Sequence, residues 1–75
     1  DVALPALIER LSDSEEHIMV RHEAAEALGA IGNLSARPIL EEFLNDENPE
    51  VAESCEVALD LLRWCSSDEW DNAEW

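Results

Sequence analysis

The chain has 75 residues, of which 19 are acidic and 4 basic, giving a formal net charge of −15. Such a surface repels phosphate backbones and anionic membranes, so nucleic acid and lipid are poor partners; it attracts a basic partner weakly and in a salt-dependent way, and such charge more often serves solubility alone. A chain this short makes one small domain or part of a larger one, and its two cysteines, Cys55 and Cys65, are too few for a disulfide framework. They read as idle thiols in a reducing, cytoplasmic compartment.

The first predicted helix covers about Val2 to Leu11, with Pro5 in its first turn, where a missing N–H costs little. Because the chain starts inside this helical pattern, we expect a piece of a longer protein, and the lack of a leader then says little. No apolar run approaches the ~20 residues that span a bilayer. The second helix covers about Glu15 to Ile31 and stops at Gly32-Asn33. On a wheel of about 100° per residue, Val20, Ala24, Ala27, Leu28 and Ile31 form its expected apolar stripe. His22 and Glu26 fall on the opposite face, with Glu23 at the edge. Ser35 is the expected cap of a third helix, about Ala36 to Leu44. Asn48 and Pro49 open a fourth, about Pro49 to Trp64, with a stripe of Val51, Cys55, Ala58, Leu59 and Leu62.

These helices repeat. Leu4 to Leu11 aligns with Arg37 to Leu44, 33 residues on, and Val20 to Gly29 aligns with Val51 to Asp60, 31 residues on. The turns between them carry acids at matching places, Asp13 and Asp46. A purely helical pattern with this period predicts an all-α solenoid of two antiparallel helix hairpins over residues 1–64. Residues 65–75 form an acidic, tryptophan-containing tail, expected to be loosely ordered, with Trp70 folding back over the last helix.

His22-Glu23 is the one pair that suggests metal chemistry, although from the residues alone an exposed histidine on a polar helix face is the simpler reading. Adjacent residues diverge by about 100°, so one helix cannot converge both side chains and further ligands on a metal. His17 reads as a solvated turn residue. The string His22-Glu23-Ala24-Ala25-Glu26 superficially matches the zinc-protease helix, but Glu26 stands where that motif needs a second histidine. The chain has no glycine-rich phosphate loop and no nucleophile elbow.

Val20-Arg21-His22-Glu23-Ala24-Ala25-Glu26-Ala27-Leu28-Gly29, followed by Ala30-Ile31-Gly32, resembles the HEAT-like repeats of phycobilin lyases. That resemblance covers residues 1–64 and implies that the second helix of each hairpin lines a concave surface, with His22 and Glu23 facing it. Met19 to Ile31 together with Glu53-Ser54-Cys55-Glu56-Val57-Ala58-Leu59-Asp60 looks more closely like the C-terminal end of the deoxyhypusine hydroxylase family. Membership would imply a HEAT-like solenoid of two halves whose His-Glu pairs hold two irons. It would further imply dioxygen-dependent hydroxylation of deoxyhypusine on a basic loop of a translation factor. By resemblance, His22 and Glu23 would be iron ligands, Glu23 alternatively a substrate-ammonium contact; the acidic wall suits a cationic substrate side chain and makes Glu26 a candidate substrate contact. The remaining repeats of the enzyme would supply the other pairs, so this chain alone is expected to be inactive. Two other readings stay open: a non-enzymatic HEAT-like module gripping a basic peptide, and a phycobilin lyase-like subunit.

Overall fold

The computed structural model describes residues 3–66, 68 and 70. Among them the chain forms α1 (Ala3–Ser12), α2 (Ile18–Ile31), α3 (Arg37–Glu42) and α4 (Pro49–Cys65), and no strand. Helix α2 packs against both α1 and α4, and α3 packs against α4. Consecutive helices therefore pair, and α2 with α4 makes the seam between the pairs. The core is a single cluster in which Leu11, Leu28, Leu40 and Leu62 are fully buried, one from each helix. Each such side chain contributes about 1.5–3 kcal/mol relative to exposure.

The local chemistry of the turns sets the helix ends. Helix α2 starts three residues later than the periodicity suggests, because the preceding acids close a turn instead. Asp13 Oδ1 accepts from the Glu15 amide at 2.9 Å, and Glu16 Oε1 accepts from the His17 amide at 2.9 Å. His17 is exposed in the turn, as expected, and its Nδ1 also caps α2 by accepting from the Met19 amide at 3.1 Å. Gly32 ends α2 at φ 75°, a left-handed position that glycine fills without a Cβ penalty. The third helix is shorter than expected and is flanked by 3₁₀ turns at Leu34–Ala36 and Phe43–Asn45. Its entry is capped by Asn33, not Ser35; the Asn33 side chain accepts from the Ser35 amide at 2.9 Å. Asn48 does cap α4, accepting from the Glu50 amide at 3.0 Å. Replacing Asn48 with alanine should cost about 1 kcal/mol, visible as a thermal midpoint roughly 4–8 °C lower.

The buried face of α2 is not the expected stripe. Arg21, Ala24, Ala25, Leu28 and Gly29 are buried, while Ile31 is exposed and Val20 and Ala27 are half-buried. The face is rotated by roughly 85° on the helical wheel, because α2 must cover α1 as well as α4. In α4 the buried set is Val51, Ser54, Cys55, Ala58 and Leu62; Leu59 is only half-buried.

Arg21 can lie inside because all of its charge is answered. Nε donates to the Leu11 carbonyl at 3.0 Å, and Nη2 donates to Asp46 Oδ1 at 2.8 Å. Its guanidinium also sits 5.6 Å from the centre of the Phe43 ring. The arginine of one repeat thus reaches the repeat-aligned acid of the next turn. Burial alone would raise the Asp46 carboxyl, but hydrogen bonds from Arg21 and the Asn48 amide, with the guanidinium charge, hold it below the ordinary carboxylate range.

Trp70 folds back onto the core cluster as expected, beneath the Arg37 guanidinium at 3.8 Å from the ring centre. Arg37 Nη1 also donates to the Trp70 carbonyl at 3.4 Å. The expected loose order of the tail otherwise concerns residues 67, 69 and 71–75, which lie outside the described residues.

Candidate functional site: a histidine across the repeat seam

His22 and Ser54 are 32 residues apart, yet the packing of α2 on α4 brings their side chains together. His22 Nδ1 contacts Ser54 Oγ, and His22 Nε2 lies 2.8 Å from Glu26 Oε1, one turn further along α2. Ser54 is buried, and its hydroxyl donates to the Glu50 carbonyl at 2.6 Å. A carboxylate oxygen only accepts, so in the contact with Glu26 it is Nε2 that donates. Ser54 thus holds one ring nitrogen from across the seam, and Glu26 holds the other from the same helix.

The His22 side chain is about one-third exposed, 34% against 56% for Glu26. It lines an open groove of about 410 Å³ between α2 and α4, which also carries Glu50, Glu53 and Met19. Glu23 does not join it. That side chain is exposed and lines a neighbouring groove of about 430 Å³ with Ala27, Ala30, Val57 and Leu61. Glu26 borders both grooves. Of the three residues singled out from the sequence, His22 and Glu26 are thus in contact, and Glu23 stands beside them without touching the imidazole. Among the described residues, no group of three or more His, Cys, Asp or Glu is placed to hold a metal ion.

The order Ser54–His22–Glu26 superficially matches a nucleophilic triad. The geometry argues against it. A nucleophilic serine gives its proton to the imidazole and faces the substrate; Ser54 is buried and gives its proton to a main-chain carbonyl. Cys55 is no better a nucleophile. It is fully buried, and burial, reinforced by the nearby Asp46 charge, pushes its thiol up to about 11, so it stays protonated. Cys65 is free and exposed.

Ser54 is the side chain that sequence reasoning did not place beside His22. It occupies, in the second repeat, the slot that Glu23 occupies in the first. Its bond to the carbonyl four residues back, Glu50, is common for a mid-helix serine, but nothing local points to His22.

HEAT repeats match residues 1–69 of the chain. The deoxyhypusine hydroxylase of Drosophila melanogaster is 54% identical over 65 residues, covering 87% of this chain and 22% of that protein. That of Candida albicans is 49% identical over 72 residues, covering 96% of this chain and 23% of its own length. The solved structure of human deoxyhypusine hydroxylase in complex with glycerol superposes with a TM-score of 0.85 at 43% identity, over 89% of this chain and 23% of that one. The chain spans little more than a fifth of the length of the curated relatives it matches. Among the described residues, no helix is long and apolar enough to cross a membrane. Four paired helices, the two-repeat register and these similarities lead to one conclusion: the chain belongs to the HEAT-repeat family, and its homologues are deoxyhypusine hydroxylases.

Proposed function

We propose that this chain is one wall of the iron site of a deoxyhypusine hydroxylase, acting together with further HEAT repeats and contributing His22 and Glu23 as one His-Glu pair. The carrying observation is the placement of the imidazole. Nδ1 is held by Ser54, and Nε2 lies beside the Glu26 carboxylate in an acidic groove. Metal-binding histidines have one ring nitrogen bonded to the protein and the other presented to the ion; here Nε2 is the nitrogen that a metal would take over from Glu26. Imidazole nitrogen with carboxylate oxygen is also the donor set that suits iron in oxygenases. The chemistry that iron supplies when bound is activation of dioxygen for hydroxylation of the deoxyhypusine side chain.

The residues of this chain would do three things. Ser54 fixes the ring. His22 presents Nε2, which Glu26 holds in the metal-free chain. Glu23 supplies a carboxylate from the adjacent groove, while Glu26, once released from the imidazole, joins Glu50 and Glu53 in favouring a cationic, lysine-derived side chain on a basic loop of a translation factor. Adjacent positions on one helix cannot enclose a metal, so the remaining ligands come from other repeats, and the 75 residues alone should show no turnover.

The test is iron content. In the full-length enzyme, His22→Ala should lower iron occupancy and abolish most hydroxylation while leaving the helical content unchanged. Normal iron content in that variant would remove His22 from the ligand set. A non-enzymatic peptide-binding module predicts the reverse pattern: partner affinity indifferent to His22→Ala and weakened by charge reversal at Glu26 or Glu53.

A further inference from the structure

We infer that the exposed face of α4 is a docking surface for the body of the protein substrate: a basic protein surface that sets an apolar side chain against Val57, Leu61 and Trp64. The identity of this partner rests on the enzymatic reading proposed above. Val57, Leu61 and Trp64 are 61%, 41% and 84% exposed. Spaced four and three residues apart, they stand within about 60° on one side of the helix. A lone exposed apolar residue is ordinary, but a contiguous row rimmed by acids marks a contact surface. Val57 lines both grooves and Leu61 lines the second, so the row leads out of the His22 groove. In the other direction the same face carries Glu53 and Glu50, which line the His22 groove. The face is therefore acidic beside the site and apolar from Val57 onward, over about 10 Å to Trp64.

The surroundings of the row select its occupant. Stacking of repeats does not cover this face: Glu26 and Ala30, the residues of the first repeat aligned with Val57 and Leu61, are exposed although α2 is packed on both α1 and α4. A second copy would bring another net charge of −15 against the same acids, and an anionic membrane is repelled in the same way. A cationic protein surface is attracted instead. The two parts of the face then divide the work. The acids steer a basic partner and respond to salt. The apolar row supplies affinity that salt does not screen, with Trp64 as the largest anchor, the residue type that most often dominates an interface. A side chain lodged beside His22 enters the groove, and the row meets the protein surface around it.

The test uses the full-length enzyme and the deoxyhypusine-bearing translation factor. Oxidative footprinting read by mass spectrometry should find Leu61 and Trp64 reactive in the free enzyme and protected once the factor is added. This arm needs no variant to fold. In calorimetric titrations, Leu61→Ser and Trp64→Ser should each weaken binding of the factor by about 10-fold, with iron content and helical content unchanged. Added salt should weaken the parent and both variants by the same factor, because the row carries no charge. Trp64 already protected in the free enzyme would assign the row to the enzyme's own remaining repeats, and protection that grows with enzyme concentration alone would assign it to a second copy; either result overturns the inference. So does parent-strength binding by both variants, which leaves the enzymatic reading standing. A parent enzyme that fails to bind the factor at all removes that reading and the inference together. Iron content after His22→Ala bears on the metal site alone.

Discussion

Replacing Arg21 with alanine is expected to destabilise the chain by about 3–5 kcal/mol, the range for removing one partner of a buried ion pair. The loss is large because three groups are stranded at once. Asp46 keeps its charge in a sheltered site, the Leu11 carbonyl loses its donor, and the Phe43 ring loses the cation above it. A domain of this size holds only about 5–10 kcal/mol in total. The thermal midpoint should therefore fall by tens of degrees, followed by circular dichroism. Arg21→Lys should recover only part, since an ammonium cannot reach Leu11 and Asp46 together as the planar fork does. Asp46→Ala should cost a similar amount, and the double variant less than the sum, because the second change removes a charge that the first had stranded. An Arg21→Ala chain as stable as the parent would show that the pair contributes nothing.

The same pair sets the response to acid. The Asp46 carboxyl is depressed in the folded chain, so near its pKa the group binds fewer protons folded than unfolded. Its contribution is fully present above the ordinary carboxylate value of about 3.9 and is lost as pH falls through the lower, folded value. Stability should drop steeply below about pH 4 in the parent and less steeply in a double variant lacking both charges.

Arg21 also explains where sequence reading stops. The repeat, the four helices and the Asn48 and Gly32 caps are written in local residue chemistry and period, and each is found. The buried face of α2 is not, because an apolarity count places Arg21 outside and Ile31 inside. The reverse holds: Arg21 is buried with its charge matched, and Ile31 is exposed. The matching acid is 25 residues away, beyond any helical wheel. His22 was legible for its residue type, and Glu26 for its one-turn spacing. Ser54 was not, since its partnership with His22 exists only once the two repeats are stacked. That Ser35 does not cap the third helix has a more local reason. The chain enters through the 3₁₀ turn Leu34–Ala36, which Asn33 caps, and α3 then starts from Ala36 without a side-chain cap.

Gly29 shows how the fold and the site depend on one close approach. It lies within α2, where alanine would favour the helix by about 1 kcal/mol over glycine. Yet a Cβ at this position would stand 2.8 Å from the Ala58 Cα, 2.9 Å from its Cβ and 3.0 Å from its carbonyl oxygen. Two of those atoms are backbone, so no side chain can swing aside; α2 and α4 must separate. Overpacking of this kind costs about 1–3 kcal/mol, which outweighs the propensity gain. With backbone atoms as the obstacle the upper part of that range applies, about 2–3 kcal/mol, so Gly29→Ala should lose about 1–2 kcal/mol net, and Gly29→Val, with two further methyl groups and a branched Cβ, about 3 kcal/mol or more. Compensation by Ala58→Gly should be partial, because it removes the 2.9 Å contact and leaves the other two. The separation should also be felt seven residues earlier, where His22 meets Ser54 across the same seam. A Gly29→Ala variant that still folds should shift the His22 ring signals in NMR, although the substitution touches neither residue. An increase in stability, as helix propensity alone would give, would show that the two helices yield at no cost and that glycine is not required there.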